Sequence, residues 1–163
     1  MTMQRYFILS LGLILVLTNA VFSQVVDDKQ KVAVNPRYDS ELAKKTGANE
    51  MGMRSFILVL LKSSGKPVPA GKERDEMFAG HFANMKKNAA EGKLVLAGPL
   101  DGVDGMRGLF VFAVENIVDA KKLTETDPVI SKGEIVAHYH KFYGNAGIML
   151  LNEMYEKITK TPM

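Results

Sequence analysis

The chain has 163 residues, 47% hydrophobic and 24% charged, with a formal net charge of +3 and no cysteine. That length suits one domain with its own buried core. The composition excludes disordered, collagen-like and multi-span membrane classes, and the missing thiols exclude disulfides, thiolate nucleophiles and thiolate metal sites. A charge of +3, part of it Arg5 near the N-terminus, is too weak to indicate nucleic acid, so no such partner is expected.

Arg5, the apolar run Phe7 to Leu17 and then Val21-Phe22-Ser23 have the layout of a secretory signal over residues 1–23, cut before Gln24. The run is shorter than the roughly 20 residues needed to cross a bilayer. Asp27-Asp28 stand where a basic stop-transfer flank would be. With no Cys after the run, a lipoprotein anchor is excluded. Cleaved, the segment makes the protein secreted or periplasmic; left in place, it would be the one attachment to a membrane.

Residues 24–51 read as a polar spacer containing a short helix. Asp39 or Ser40 caps that helix, Leu42 and Ala43 face inward, Lys44-Lys45 lie near its carbonyl end, and Gly47 stops it. An α+β domain is expected over 52–145. Its first strand is Arg54 to Leu61, an apolar run rich in β-branched and aromatic residues that ends in the Gly- and Pro-containing stretch 63–71. From Lys72 to Glu91 the period becomes helical, with Met77, Phe78, His81, Phe82, Met85 and Ala89 inward and Lys86-Lys87 outward. Lys93 to Leu100 forms a second strand, Asp101 to Gly108 a glycine-rich turn, and Leu109 to Val114 a third strand. Asn116 caps a second helix ending near Thr124, Asp127-Pro128 breaks the chain before a short helical turn, and Glu134 to Tyr143 is a fourth strand. Residues 146–163 are a helical tail, amphipathic over Ile148 to Ile158.

The order β-α-β-β-α-β defines an α+β class, the ferredoxin-like split βαβ with one antiparallel sheet and two helices on one face. The first strand is nevertheless apolar on both faces, with Phe56, Leu58 and Leu60 on one and Ile57, Val59 and Leu61 on the other, and the third strand repeats the pattern. Something must cover the second face. A second copy in a homodimer, as in a dimeric α+β barrel, is the simplest cover, and the tail from Ile148 to Ile158 is the other.

His81, the run Lys93-Leu94-Val95-Leu96-Ala97-Gly98-Pro99-Leu100, the hairpin to Gly108-Leu109-Phe110 and then Thr126-Asp127-Pro128 together resemble the YCII-related family. The resemblance covers roughly residues 52 to 143 and implies a dimeric α+β barrel. It also implies an active site formed by His81 and Asp127, and chemistry on small molecules of the kind dehydrochlorination represents. The leader, the segment Tyr38 to Met53 and the tail after Tyr143 depart from the short form of that family.

On pattern alone, a His on an apolar stripe is a satisfied core residue, and an Asp before Pro is a turn or cap residue. As a pair they would do proton transfer, because imidazole titrates near neutrality and a carboxylate in hydrogen-bond reach fixes its tautomer. The pair is expected to bond directly or through one water, with His81 partly buried at the edge of a cleft for a small-molecule ligand. Gly98-Pro99 ends a strand, either as a plain backbone turn or as a place where a ligand approaches the main chain. Gly102, Gly105 and Gly108 join two strands and open no helix, so they form no phosphate loop. His138 and His140 alternate on one face of the fourth strand and could reach one metal or one cleft. With His81 they would supply the three imidazoles of a zinc site, although His-x-His on a strand commonly sits at a surface or interface. No metal and no cofactor is assigned. The competing class is a non-catalytic ligand-binding or assembly module on the same fold.

Overall fold

The computed structural model describes residues 35–161, so the signal assigned to residues 1–23 and most of the spacer lie outside the described residues. The chain divides into two units, residues 1–38 and 39–163. Of the first, Asn35 to Tyr38 form a turn in which the Tyr38 N–H donates to the Asn35 carbonyl at 2.9 Å.

The second unit runs α1 (Ser40–Thr46), β1 (Met53–Ser63), α2 (Lys72–Ala90), β2 (Leu94–Pro99), β3 (Met106–Phe112), α3 (Ile117–Thr124), α4 (Pro128–Ser131), β4 (Ile135–Asn145) and α5 (Leu151–Ile158). Asp39 caps α1 through the Leu42 N–H, and Gly47 closes it in the left-handed region at φ 67°. Leu42 proves exposed, and Thr46 takes the buried position in that helix.

Four strands form one sheet in the order β2-β3-β1-β4, with every neighbouring pair antiparallel. That is the ferredoxin-like order expected from the element sequence. On one face Ile57, Val59, Leu61, Phe110 and Phe112 pack with Met77 of α2, Ala120 of α3 and Val129 of α4 to form the main core. The stripe of α2 differs from expectation at two positions. Phe82 lies at the rim, 56% exposed, whereas Asn88 is buried and hydrogen-bonded through Nδ2 to Asn84 Oδ1 at 2.9 Å.

The third strand begins three residues earlier than its apolar pattern suggests. Gly108 belongs to the strand because a Cβ there would meet the Gly98 carbonyl oxygen at 2.9 Å, so only glycine permits the β2–β3 approach. The reversal itself is confined to a 3-10 turn at Val103–Gly105, led by Gly102 at φ 87°.

The tail covers part of the second face. Ile148 and Met149 pack against the cluster of Phe56, Val95 and Val111, as Phe142 does, and Asn152 Nδ2 donates to the Leu94 carbonyl at 2.8 Å. The apolar stripe of α5 itself, Leu151, Met154, Tyr155 and Ile158, points away from the sheet and is exposed. Toward the other end, Leu58 and Leu60 are half-buried and Leu96 and Val136 exposed.

Candidate functional site: a histidine–aspartate pair

His81 projects from the middle of α2 onto the sheet. Its ring stacks on Phe110, with centroids 5.9 Å and planes 29° apart. Phe78 stands edge-on at 6.3 Å and Phe82 lies tilted at 5.4 Å. Aromatic faces therefore fix the plane of the imidazole and leave only its nitrogens to polar partners.

Asp127 supplies one of them. Its Oδ2 lies 2.8 Å from His81 Nδ1, with the carboxylate fully buried and the His81 side chain 13% exposed. Its other oxygen, Oδ1, accepts the Val129 N–H at 3.1 Å and so caps α4. A carboxylate only accepts, so Nδ1 carries the proton and Nε2 of the neutral ring presents a lone pair. Among the described residues Nε2 has no hydrogen-bond partner, and no buried side-chain nitrogen or oxygen is left unpaired. Nε2 therefore opens to solvent.

Residues that sequence reasoning passed over hold Asp127 in place. Gly80 faces Pro128, where a Cβ would come within 2.7 Å of Pro128 Cγ. One turn later, Asn84 Nδ2 donates to Thr126 Oγ1 at 2.7 Å, and Thr126 Oγ1 donates to the Leu123 carbonyl at 3.1 Å. Gly80, Asn84 and Asn88 recur every four residues, a small and polar stripe beside the apolar one, and that spacing was the signal available in the sequence. Further along α2, Arg74 Nη2 donates to Glu134 Oε1 at 2.6 Å, and the Val68 N–H donates to Glu134 Oε2 at the same distance. The Arg74 hydrogen bond outweighs burial and, with the Val68 N–H, holds the Glu134 carboxyl below its usual range.

The other candidate residues fall elsewhere. Pro99 pairs with Gly108, one pleat along from the Ala97–Phe110 pair that lies under His81. Gly98 pairs with Leu109, and a Cβ on it would meet open space, so the tight backbone approach belongs to Gly108. His138 and His140 pair with Leu60 and Leu58, on the sheet face opposite His81. They are therefore kept from sharing its cleft, because a strand turns alternate residues to one side only. Among the described residues no three potential ligands cluster for a metal.

A single antiparallel sheet in ferredoxin-like order, with a His–Asp pair joining its long helix to the turn before its last strand, defines an α+β domain carrying a hydrogen-bonded His–Asp pair. The chain belongs to the YCII-related domain family, whose match spans residues 56–140, just over half of the sequence. Six solved chains match. One is the 5-chloro-2-hydroxyhydroquinone dehydrochlorinase of Burkholderia phenoliruptrix AC1100, in complex with 2,5-dihydroxybenzoquinone. It is 18% identical over 55% of this chain and 90% of that one, with a TM-score of 0.36. No curated protein matches the chain.

Proposed function

We propose that this protein performs proton transfer on a small organic molecule, as in an elimination or isomerisation, with His81 as acid and base and Asp127 as its partner. The observation that carries this is the 2.8 Å contact from a partly open imidazole to a fully buried carboxylate. In the neutral pair Nε2 takes a proton from an acidic C–H or O–H of the bound molecule. Asp127 steadies the imidazolium that forms, and Nε2 then returns the proton to the leaving group or to a neighbouring carbon. A positioned base of this kind contributes about 10²–10⁴-fold in rate.

Solvent-deuterium exchange tests the proposal. In D2O the wild-type protein is expected to wash deuterium into one or more of a panel of small carbonyl compounds bearing an acidic C–H. His81→Gln, folded by circular dichroism, is expected not to. Equal exchange by both proteins counts against the proposal. One observation favours a second reading, a ligand-binding module without turnover: Asp127 Oδ1 caps α4, a structural task sufficient to keep the residue. Ligand binding without exchange supports that reading.

Two further expectations complete the proposal. The leader pattern of residues 1–23 assigns the protein a place outside the cytoplasm, and mass spectrometry of the secreted form should find a chain starting near Gln24. Recovery of the intact Met1 form from the cytoplasm would overturn that assignment. The half of the second sheet face that the tail leaves open, with Leu96 40% and Val136 44% exposed, supports a homodimer.

A further inference from the structure

The turn that carries Asp127 is held from α2 by Gly80 and Asn84, and from the sheet by Tyr139. This tyrosine of β4 lies on the helix-bearing face and packs against the main core. Its hydroxyl is 2.5 Å from Oγ1 of Thr124, the fully buried last residue of α3. The Thr124 hydroxyl spends its one proton on the Lys121 carbonyl at 3.0 Å, so Tyr139 is the donor. The Thr124 main-chain carbonyl in turn accepts the Asp127 N–H at 2.9 Å. Lys121 Nζ lies 5.7 Å from the centre of the Tyr139 ring, over its face.

We infer that Tyr139 is a positioning residue for the His81–Asp127 pair. The sheet register gives the reason. Val59 pairs with Phe110 on one side and with Tyr139 on the other, so the three form one row across neighbouring strands. Phe110 lies against the His81 ring, and Tyr139 holds the end of α3 to which the Asp127 main chain is bonded. These two supports stand two strands apart, about 9–10 Å, a spacing that the backbone ladder keeps fixed. Gly80 and Asn84 tie the turn to α2, whereas Tyr139 ties it to the strand row on which the imidazole is stacked. Without the Tyr139 hydroxyl the end of α3 is free to shift over the sheet, and Asp127, three residues further on, shifts with it. The bond from Nδ1 to Oδ2 depends on both distance and angle and weakens with that shift.

Nitrogen NMR of the His81 ring in three variants tests this role. Tyr139→Phe and Thr124→Val each delete the hydrogen bond, and each should add the Nε2–H tautomer to a ring that is Nδ1–H in the wild type. Thr124→Ser keeps the hydroxyl and should retain the wild-type spectrum. Deuterium wash-in, whose link to the ring rests on the proton-transfer reading, should fall on the order of tenfold in the first two variants and stay within about twofold in the third, tenfold being what one hydrogen bond carries in an equilibrium. A lowered urea midpoint with an unchanged ring spectrum in both Tyr139→Phe and Thr124→Val would assign the bond to stability alone and overturn the positioning role. Wild-type protein without wash-in would overturn the proton-transfer reading, while the ring spectra would still decide for or against Tyr139.

Discussion

Gly80 and Pro128 approach so closely that a methyl group on Gly80 would reach within 2.7 Å of the proline ring. The residue after Gly80 is His81 and the residue before Pro128 is Asp127, so this approach sets the distance across the pair. In Gly80→Ala the added Cβ forces α4 away from α2. Overpacking of this kind costs about 1–3 kcal/mol, offset by about 1 kcal/mol of helix propensity. A modest loss of stability in urea unfolding is therefore expected, with a larger effect on the pair itself. Nitrogen NMR of the His81 ring should show Nδ1–H giving way to a mixture of tautomers. A ring spectrum identical to wild type would show that the approach does not control the pair.

Asp127 makes two bonds, and two substitutions separate them. Asp127→Asn keeps an oxygen for the Val129 N–H but turns an amide N–H toward Nδ1. The expected outcome is stability within about 1 kcal/mol of wild type and a ring switched to the Nε2–H tautomer, which removes the basic lone pair from the open side. Asp127→Ala loses the cap as well and strands a buried N–H, at a cost of about 1–3 kcal/mol. Equal destabilisation by both variants would assign the stabilisation to the carboxylate contact with His81 that both lose, and none of it to the cap.

Much of the fold was legible because its signals are local. The apolar run from Phe56 to Leu61, the three- and four-residue spacing of Met77, Phe78, His81 and Met85, and the capping residues Asp39, Asn116 and Asp127 each act within a few residues of themselves. The assignment of His81 and Asp127 to one site rested on the family resemblance, since neither apolar stripe nor turn chemistry brings two residues so far apart in the chain together. Gly80, Asn84 and Gly108 were missed because their roles lie in what touches them from another element. Gly108 read as loop, since a glycine in a strand announces itself only through the carbonyl opposite. Asn88 stood outside the apolar stripe, since what buries it is a hydrogen bond to a side chain one turn away.

Glu134 gives the fold a dependence on acid. Its carboxyl titrates below its ordinary value chiefly through the hydrogen bond from Arg74, against the opposing effect of burial, with the Val68 N–H adding to the depression. A folded value lower than the unfolded one means that the stabilisation is complete above the ordinary glutamate range and is lost as pH falls through the depressed value. Urea midpoints should therefore decline below about pH 4.5, and Glu134→Gln should flatten part of that decline. At pH 7 the same variant is expected to lose about 2 kcal/mol, because Arg74 is left with a neutral partner at a site only a third open to water. An unchanged acid limb in Glu134→Gln would place the sensitivity in other carboxylates.

The uncovered half of the second face gives the last prediction. Ile148 and Met149 shield Phe56, Val95 and Val111, yet Leu58 and Leu60 are only half-buried in the centre of the sheet, and Leu96 and Val136 are exposed to either side of them. A leucine in the middle strand of a sheet gains most of its stabilisation from complete removal from water, at about 25 cal/mol per Å² of apolar surface, and here that removal is incomplete. A second copy laid on the same face would finish it, provided the contact exceeds about 1,000 Å² in total. Because a two-fold interface uses the same patch twice, one substitution acts on both sides. Sedimentation should find a dimer at micromolar concentration. Leu60→Lys, which sets two like charges near the contact, should give a monomer with a near-native circular dichroism spectrum. The wild-type protein sedimenting as a monomer would mean that the tail covers the face sufficiently by itself. Truncation after Asn145 would then be expected to cause aggregation, as the sheet loses the one cover it has.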